Sequence, residues 1–261
     1  MLLRSTLIAW LAFAFSVSAE GIKDCFIAKE NGKIVTQKGQ CTVRHSPFST
    51  FKIPIALMGF ETGILRSSSE PLIPFSQEIK KRFGCSIEFP IQQFWYRAQT
   101  PRTWMKYSVV WYSQEITKRL GMETLKEFTK MLNYGNADVL GNPGKNDGLL
   151  NAWLGSSLQI SPLEQVNFIE KLSKRELPFS KNSQENTIKL IALEDMWEDW
   201  KLYGKTGGGK SGWFVGWIEK GDRRIAFVNY IEKNGSPLSG GRLAKELTKD
   251  HLIPLILSPP A

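Results

Sequence analysis

The chain has 261 residues, 42% of them hydrophobic and 23% charged, with a formal net charge of +9. That balance excludes a disordered or low-complexity protein and supplies ample core for one domain or two closely joined subdomains. The basic residues are scattered, with no dense Lys/Arg block and no aromatic-basic motif, so nucleic acid is not indicated as a partner; two histidines and three cysteines show no metal-binding spacing.

The N-terminus reads as a secretory signal. Arg4 precedes the apolar run of residues 7–15, and Val17-Ser18-Ala19 supplies the small residues of a cleavage site after Ala19. The run is too short to span a bilayer comfortably, and no later segment reads as membrane-spanning. Residues 20–261 are therefore expected to form an exported, periplasmic domain without stable membrane insertion. An oxidising compartment permits one bridge among Cys25, Cys41 and Cys85. Cys25 with Cys41 is the favoured pair, because the Asn31-Gly32 turn between them brings their segments together.

In chain order, residues 24–37 alternate about Asn31-Gly32 and predict a hairpin. Ser49-Thr50-Phe51-Lys52 then opens a helix that runs through the apolar residues 53–60. Residues 67–103 contain Pro71, Pro74, Pro90 and Pro101 without a clear period and read as loop. A helix is predicted over 113–132, with Ile116, Leu120, Leu125, Phe128, Met131 and Leu132 on one face and Gly121 as its breaking point. Residues 134–152, rich in Gly and Asn, read as loop; 162–172 and 184–193 read as helices. Residues 200–205, 212–220 and 223–231 are short, aromatic and β-branched, and predict consecutive antiparallel strands, followed by a helix over 241–255. Strands at both ends with helices between them predict an α+β fold. One antiparallel sheet would be built from both chain ends and flanked by helices, with a mainly helical region inserted.

The chemistry centres on Ser49 and Lys52. Residues i and i+3 share a helix face, so the amine can sit beside the hydroxyl. A lysine drawn into an apolar helix loses hydration, its charged form is disfavoured, and the neutral amine becomes a base for the hydroxyl. The same residues would also suit an ordinary serine N-cap with a solvent-seeking lysine. His45 and His251 lack any surrounding signature such as G-x-S-x-G, so the base for Ser49 is expected to be an amine or a modified amine. Lys205-Thr206-Gly207, followed by Gly208, ends a predicted strand. There it offers positive potential, a hydroxyl, room for a substrate against the backbone, and an amide for an oxyanion. Ser108 places another hydroxyl before the long helix.

The order Ser49-x-x-Lys52, Ser108-x-Val110, Tyr134-Gly135-Asn136, Lys205-Thr206-Gly207 resembles the penicillin-recognising serine acyltransferases. The particular forms Ser-Thr-Phe-Lys, Ser-Val-Val and Tyr-Gly-Asn resemble the class D β-lactamases, the oxacillinase family. Trp153-Leu154 and Leu158-Gln159-Ile160-Ser161 are similar to the same family, and the resemblance covers essentially the whole mature chain. It implies a metal-free hydrolase, monomer or homodimer, that opens the amide of small-molecule penicillin-type antibiotics through an acyl-enzyme and confers resistance. By resemblance Ser49 is acylated, and Lys52 takes up carbon dioxide, drawn from bicarbonate, to become a carboxylated lysine acting as general base. Trp153 donates a hydrogen bond to that group and Val110 forms an apolar wall above it. Ser108 relays a proton to the leaving nitrogen. Lys205 and Thr206 receive the substrate carboxylate, Gly207 makes room, and the amides of Ser49 and Gly208 form the oxyanion hole. Tyr134 and Asn136 shape the site. The family's carboxylate-binding arginine has Arg242 as its nearest candidate here, with Lys210 a second possibility. Two relatives of the same fold would act differently. Penicillin-receptor sensor domains hold the acyl group, and cell-wall transpeptidases usually carry Asn where Val110 stands.

Overall fold

Alternating side chains at both ends of the chain close into one five-stranded sheet. A computed structural model describes residues 24–84, 90–193, 195–196, 199–209, 211–232 and 238–260; the signal segment, Cys85 and Lys210 lie outside these. The strands are β1 (Cys25–Glu30), β2 (Lys33–Gly39), β3 (Lys201–Gly208), β4 (Gly212–Lys220) and β5 (Arg223–Ile231), in the order β2-β1-β5-β4-β3 and antiparallel throughout. The β1–β2 hairpin turns at Asn31 (φ 51°) and Gly32 (φ 82°), the left-handed pair that a two-residue turn requires. Cys25 and Cys41 are disulfide-bonded, with 5.1 Å between their Cα atoms.

The helical region follows in chain order. A 3₁₀ turn, Phe48–Phe51, runs directly into α1 (Lys52–Glu61), which is buried from Lys52 to Phe60. Residues 67–103, expected as loop, contain α2 (Gln77–Phe83), capped by Ser76, and a 3₁₀ turn at Pro90–Phe94. α2 buries only Ile79, so it leaves no apolar period to read. α3 (Pro101–Tyr107) begins at a proline that suits a first helical position, behind a Thr100/Thr103 capping box. The single helix expected over 113–132 is two, α4 (Val110–Leu120) and α5 (Met122–Met131). Gly121 between them has φ 76°, outside the helical range, so the chain turns there. One turn, α6 (Gly148–Asn151), interrupts the Gly/Asn-rich loop. α7 (Pro162–Lys174) starts at a Ser161/Glu164 capping box, α8 spans Lys181–Ile191, and α9 (Gly240–Leu257) closes the chain.

Two cores result from the pleat. Ile27, Trp213, Val215, Trp217 and Val228 face the helical body, where α7 lies across β5, β1 and β4. Phe26, Phe214, Ile218, Ile225 and Phe227 face the other way and bury Ala244 and Leu252 of α9. The site forms on the first face, where edge strand β3 meets the turn before α1.

Candidate active site

Ser49 sits in the 3₁₀ turn and Lys52 opens α1, so the helix begins three residues later than the hydroxyl. In a 3₁₀ turn residues i and i+3 eclipse one another. Lys52 Nζ donates to Ser49 Oγ at 2.9 Å. The lysine is 0% exposed. Burial, and secondly the charge of Lys205, hold it well below the usual lysine range. A neutral amine at that distance can take the hydroxyl proton.

The turn is held from outside. Thr50 gives both its amide (3.1 Å) and its hydroxyl (2.7 Å) to Pro47 O. Gln165 Nε2, from α7, donates to Thr50 Oγ1 at 3.0 Å, and Tyr134 OH donates to Gln165 Oε1 at 2.9 Å. The Phe51 ring packs between those of Tyr134 and Trp153. Thr50 lies within the Ser-Thr-Phe-Lys motif, whereas Gln165 belongs to no motif and only its closeness to the nucleophile turn in space marks it. Asn136 pins the neighbouring loop, its side chain donating to Ser157 O and accepting from the amides of Asp138 and Gln159.

Ser108 joins α3 to α4 in the left-handed region, φ 57° and ψ 37°, and Val109 and Val110 begin the next helix. Lys205 Nζ donates to Ser108 Oγ at 3.0 Å and to Thr206 O at 2.9 Å. Lys205 is 5% exposed, and burial pushes it down to about 7. A Cβ at Gly207 would lie 2.9 Å from both Pro47 O and Thr50 N, so the β3 backbone touches the nucleophile turn and only glycine fits there. Thr206 lies on the α9 side of the pleat, where a Cβ on Gly241 would approach Thr206 Cβ to 3.1 Å. Arg242 follows in the first turn of α9 and is exposed, at the rim and outside the cluster of buried groups.

Trp153 is fully buried, and its Nε1–H has no hydrogen-bond partner among the described residues. A buried indole N–H without an acceptor is uncommon and points to a missing acceptor. The two histidines serve packing: His45 stacks on Tyr230 at 3.9 Å and His251 on Phe26 at 4.3 Å.

The family profile described as "Penicillin binding protein transpeptidase domain" matches residues 23–252. Beta-lactamase OXA-1 of Escherichia coli is 38% identical over 240 residues, spanning 87% of this chain and 83% of that protein. The chain belongs to the class D β-lactamases. Beta-lactamase OXA-9 of Klebsiella pneumoniae is 37% identical over 246 residues, 88% of this chain and 87% of that protein. The crystal structure of the class D β-lactamase OXA-427 superposes with a TM-score of 0.80 at 35% identity, covering 89% of this chain and 98% of that one. As a class D β-lactamase fold, the chain brings Ser49, Lys52, Ser108, Lys205 and Gly207 into one cleft from three separate stretches of sequence. Two amine–hydroxyl pairs share that cleft. Among the described residues no helix is long and apolar enough to cross a membrane.

Proposed function

We propose that this enzyme hydrolyses the amide of penicillin-type β-lactams through a Ser49 acyl-enzyme, with carboxylated Lys52 as its base, and so confers resistance. It acts after export: residues 1–19 are removed and residues 20–261 form the catalytic domain. One observation carries the reading. A fully buried lysine, disfavoured as an ammonium, lies 2.9 Å from a serine hydroxyl, and the ring of Phe51 beside it in sequence packs on Trp153, whose buried indole N–H lacks an acceptor among the described residues.

Carbon dioxide fits these residues. A neutral Lys52 amine adds it by forming an N–C bond and releasing one proton, and Trp153 Nε1 and Ser49 Oγ are the groups that would hold the carboxylate. When present, that group supplies an anionic base beside Ser49. Ser49 Oγ bonds to the lactam carbonyl carbon, and the amides of Ser49 and Gly208 receive the developing oxyanion. The carbonyl–nitrogen bond then breaks, and the Ser108 hydroxyl, hydrogen-bonded to Lys205, passes a proton to the leaving nitrogen. Water attacks the ester, restores the Ser49 hydroxyl and releases the ring-opened acid. Lys205 and Thr206 receive the substrate carboxylate. Arg242, on the helix turn packed against Thr206, is the outer cation for the same group, and Val110 walls the base from water.

The test is turnover of penicillin and oxacillin with and without added bicarbonate. Ser49→Ala should form no adduct. Lys52→Ala should lose about 10²–10⁴ in kcat and accumulate an acyl-enzyme visible by mass spectrometry. Lys52→Ala that still clears its acyl group would remove the lysine from the mechanism. A lasting adduct on the unmutated enzyme would indicate a sensor or a transpeptidase instead.

A further inference from the structure

Trp153 lies beyond the short helix α6, on a stretch of turns and bends rather than a regular element. Its indole must nevertheless be aimed accurately, since a donor displaced by an ångström makes a poor hydrogen bond. Ser46, three residues before the nucleophile, ties this stretch down. Its hydroxyl donates to Trp153 O at 2.9 Å and accepts from the Gly155 amide at 2.8 Å. Its own carbonyl accepts from Trp213 Nε1 at 2.9 Å, and Trp213 is fully buried on β4. One residue therefore joins the sheet, the approach to Ser49 and both sides of Trp153. The contact is reinforced where Phe48 Cε1 comes to 3.9 Å from the position a Cβ would take on Gly155. The far end of the loop is held separately, by Asn136 on Ser157 and Gln159.

We propose that Ser46 is a positioning residue which fixes the Trp153 indole relative to Lys52 and thereby sets how tightly Lys52 holds carbon dioxide. This rests on the carboxylated-lysine reading above. Without the hydroxyl, Trp153 O and the Gly155 amide both lose their partner, and the indole is free to drift from the acceptor it serves. The Ser49 hydroxyl and Lys205 keep their own contacts, so acylation is spared and the modification is weakened.

The test uses the mature enzyme, its Ser46→Ala variant and Ser46→Thr, which keeps the hydroxyl. Lys52 occupancy is read by NMR with ¹³C-labelled bicarbonate, and turnover is followed across a bicarbonate titration. Ser46→Ala should need about tenfold more bicarbonate for half-occupancy, the scale of one or two lost hydrogen bonds. Saturating bicarbonate should return its kcat to within about twofold of the parent enzyme, and Ser46→Thr should behave as the parent. If Ser46→Ala fails to fold, Ser46→Cys, nearly isosteric but a weak donor, carries the same test. An unchanged occupancy curve overturns the assignment of Ser46 alone, as does a kcat loss at full occupancy that bicarbonate does not restore. A parent enzyme with no ¹³C signal and no bicarbonate response overturns the carboxylated-lysine reading, and this assignment with it.

Discussion

Lys52 and Lys205 are both buried, yet they have different neighbours and different tasks. Lys52 lies against apolar side chains of α1 with a single hydroxyl in reach, which favours its neutral form. Lys205 has a hydroxyl and a carbonyl to donate to, and burial brings it only to about 7. Free Lys205 is thus largely charged below that pH and neutral above it. An anionic substrate favours the charged form, so above about pH 7 binding must take up a proton and KM should rise with pH. Measured KM from about pH 6 to about pH 9 should show this, and Lys205→Arg, which stays charged, should flatten the profile. The shift also has a stability sign. Above about 7 and below the ordinary lysine value of 10.5, the unfolded chain holds a proton that the native one has shed, so this group makes stability rise with pH across that interval.

Among the elements, α9 is set by backbone contact. A Cβ on Gly212 would fall 1.9 Å from the Gly240 carbonyl carbon, and one on Gly240 would fall 2.3 Å from Ser211 O. Gly241 in turn touches Gly207 and Thr206, so the seat of this helix sets one wall of the cleft. Gly212→Ala should push the helix off β4, costing about 1–3 kcal/mol in a denaturant titration. It should raise KM more than it lowers kcat, since Ser49 and Lys52 stand on another element. α7 was legible over 162–172, and β4 and β5 from their aromatic and β-branched runs. α2, which buries one residue, was not legible, and the α4–α5 break turned on the backbone angle of one glycine.

On the scale of the whole molecule, the first strand and the last helix meet through Arg223. Its guanidinium pairs with Glu30 of β1 at 2.6 Å and donates to the carbonyls of Leu255, Ile256 and Ser258 at the end of α9, with Trp200 5.5 Å away. Glu30 is 2% exposed, so Arg223→Ala leaves a carboxylate buried without its guanidinium. That change should cost about 3–5 kcal/mol and lower Tm strongly. Because the pair lies on the β1 side of the sheet and the cleft at the β3 edge, kcat well below the melting temperature should be unchanged.

From sequence alone came the chemical groups, their order, the hairpin with its Cys25–Cys41 bridge, and the sheet drawn from both ends. The hairpin, its bridge and the Ser49–Lys52 pairing depend on turn residues or i,i+3 spacing, which a short window contains; the sheet was read from the order of elements, and the motif order from its resemblance to a family. Only the tertiary structure decided that Ser108 meets Lys205 across 97 residues, that Gln165 reaches Thr50 across 115, and that the Trp153 indole is buried without an acceptor. Those relations are set by how α7, the α3–α4 junction and the turn before α1 meet one face of the sheet, and distances between remote segments follow from that packing rather than from any pattern along the chain.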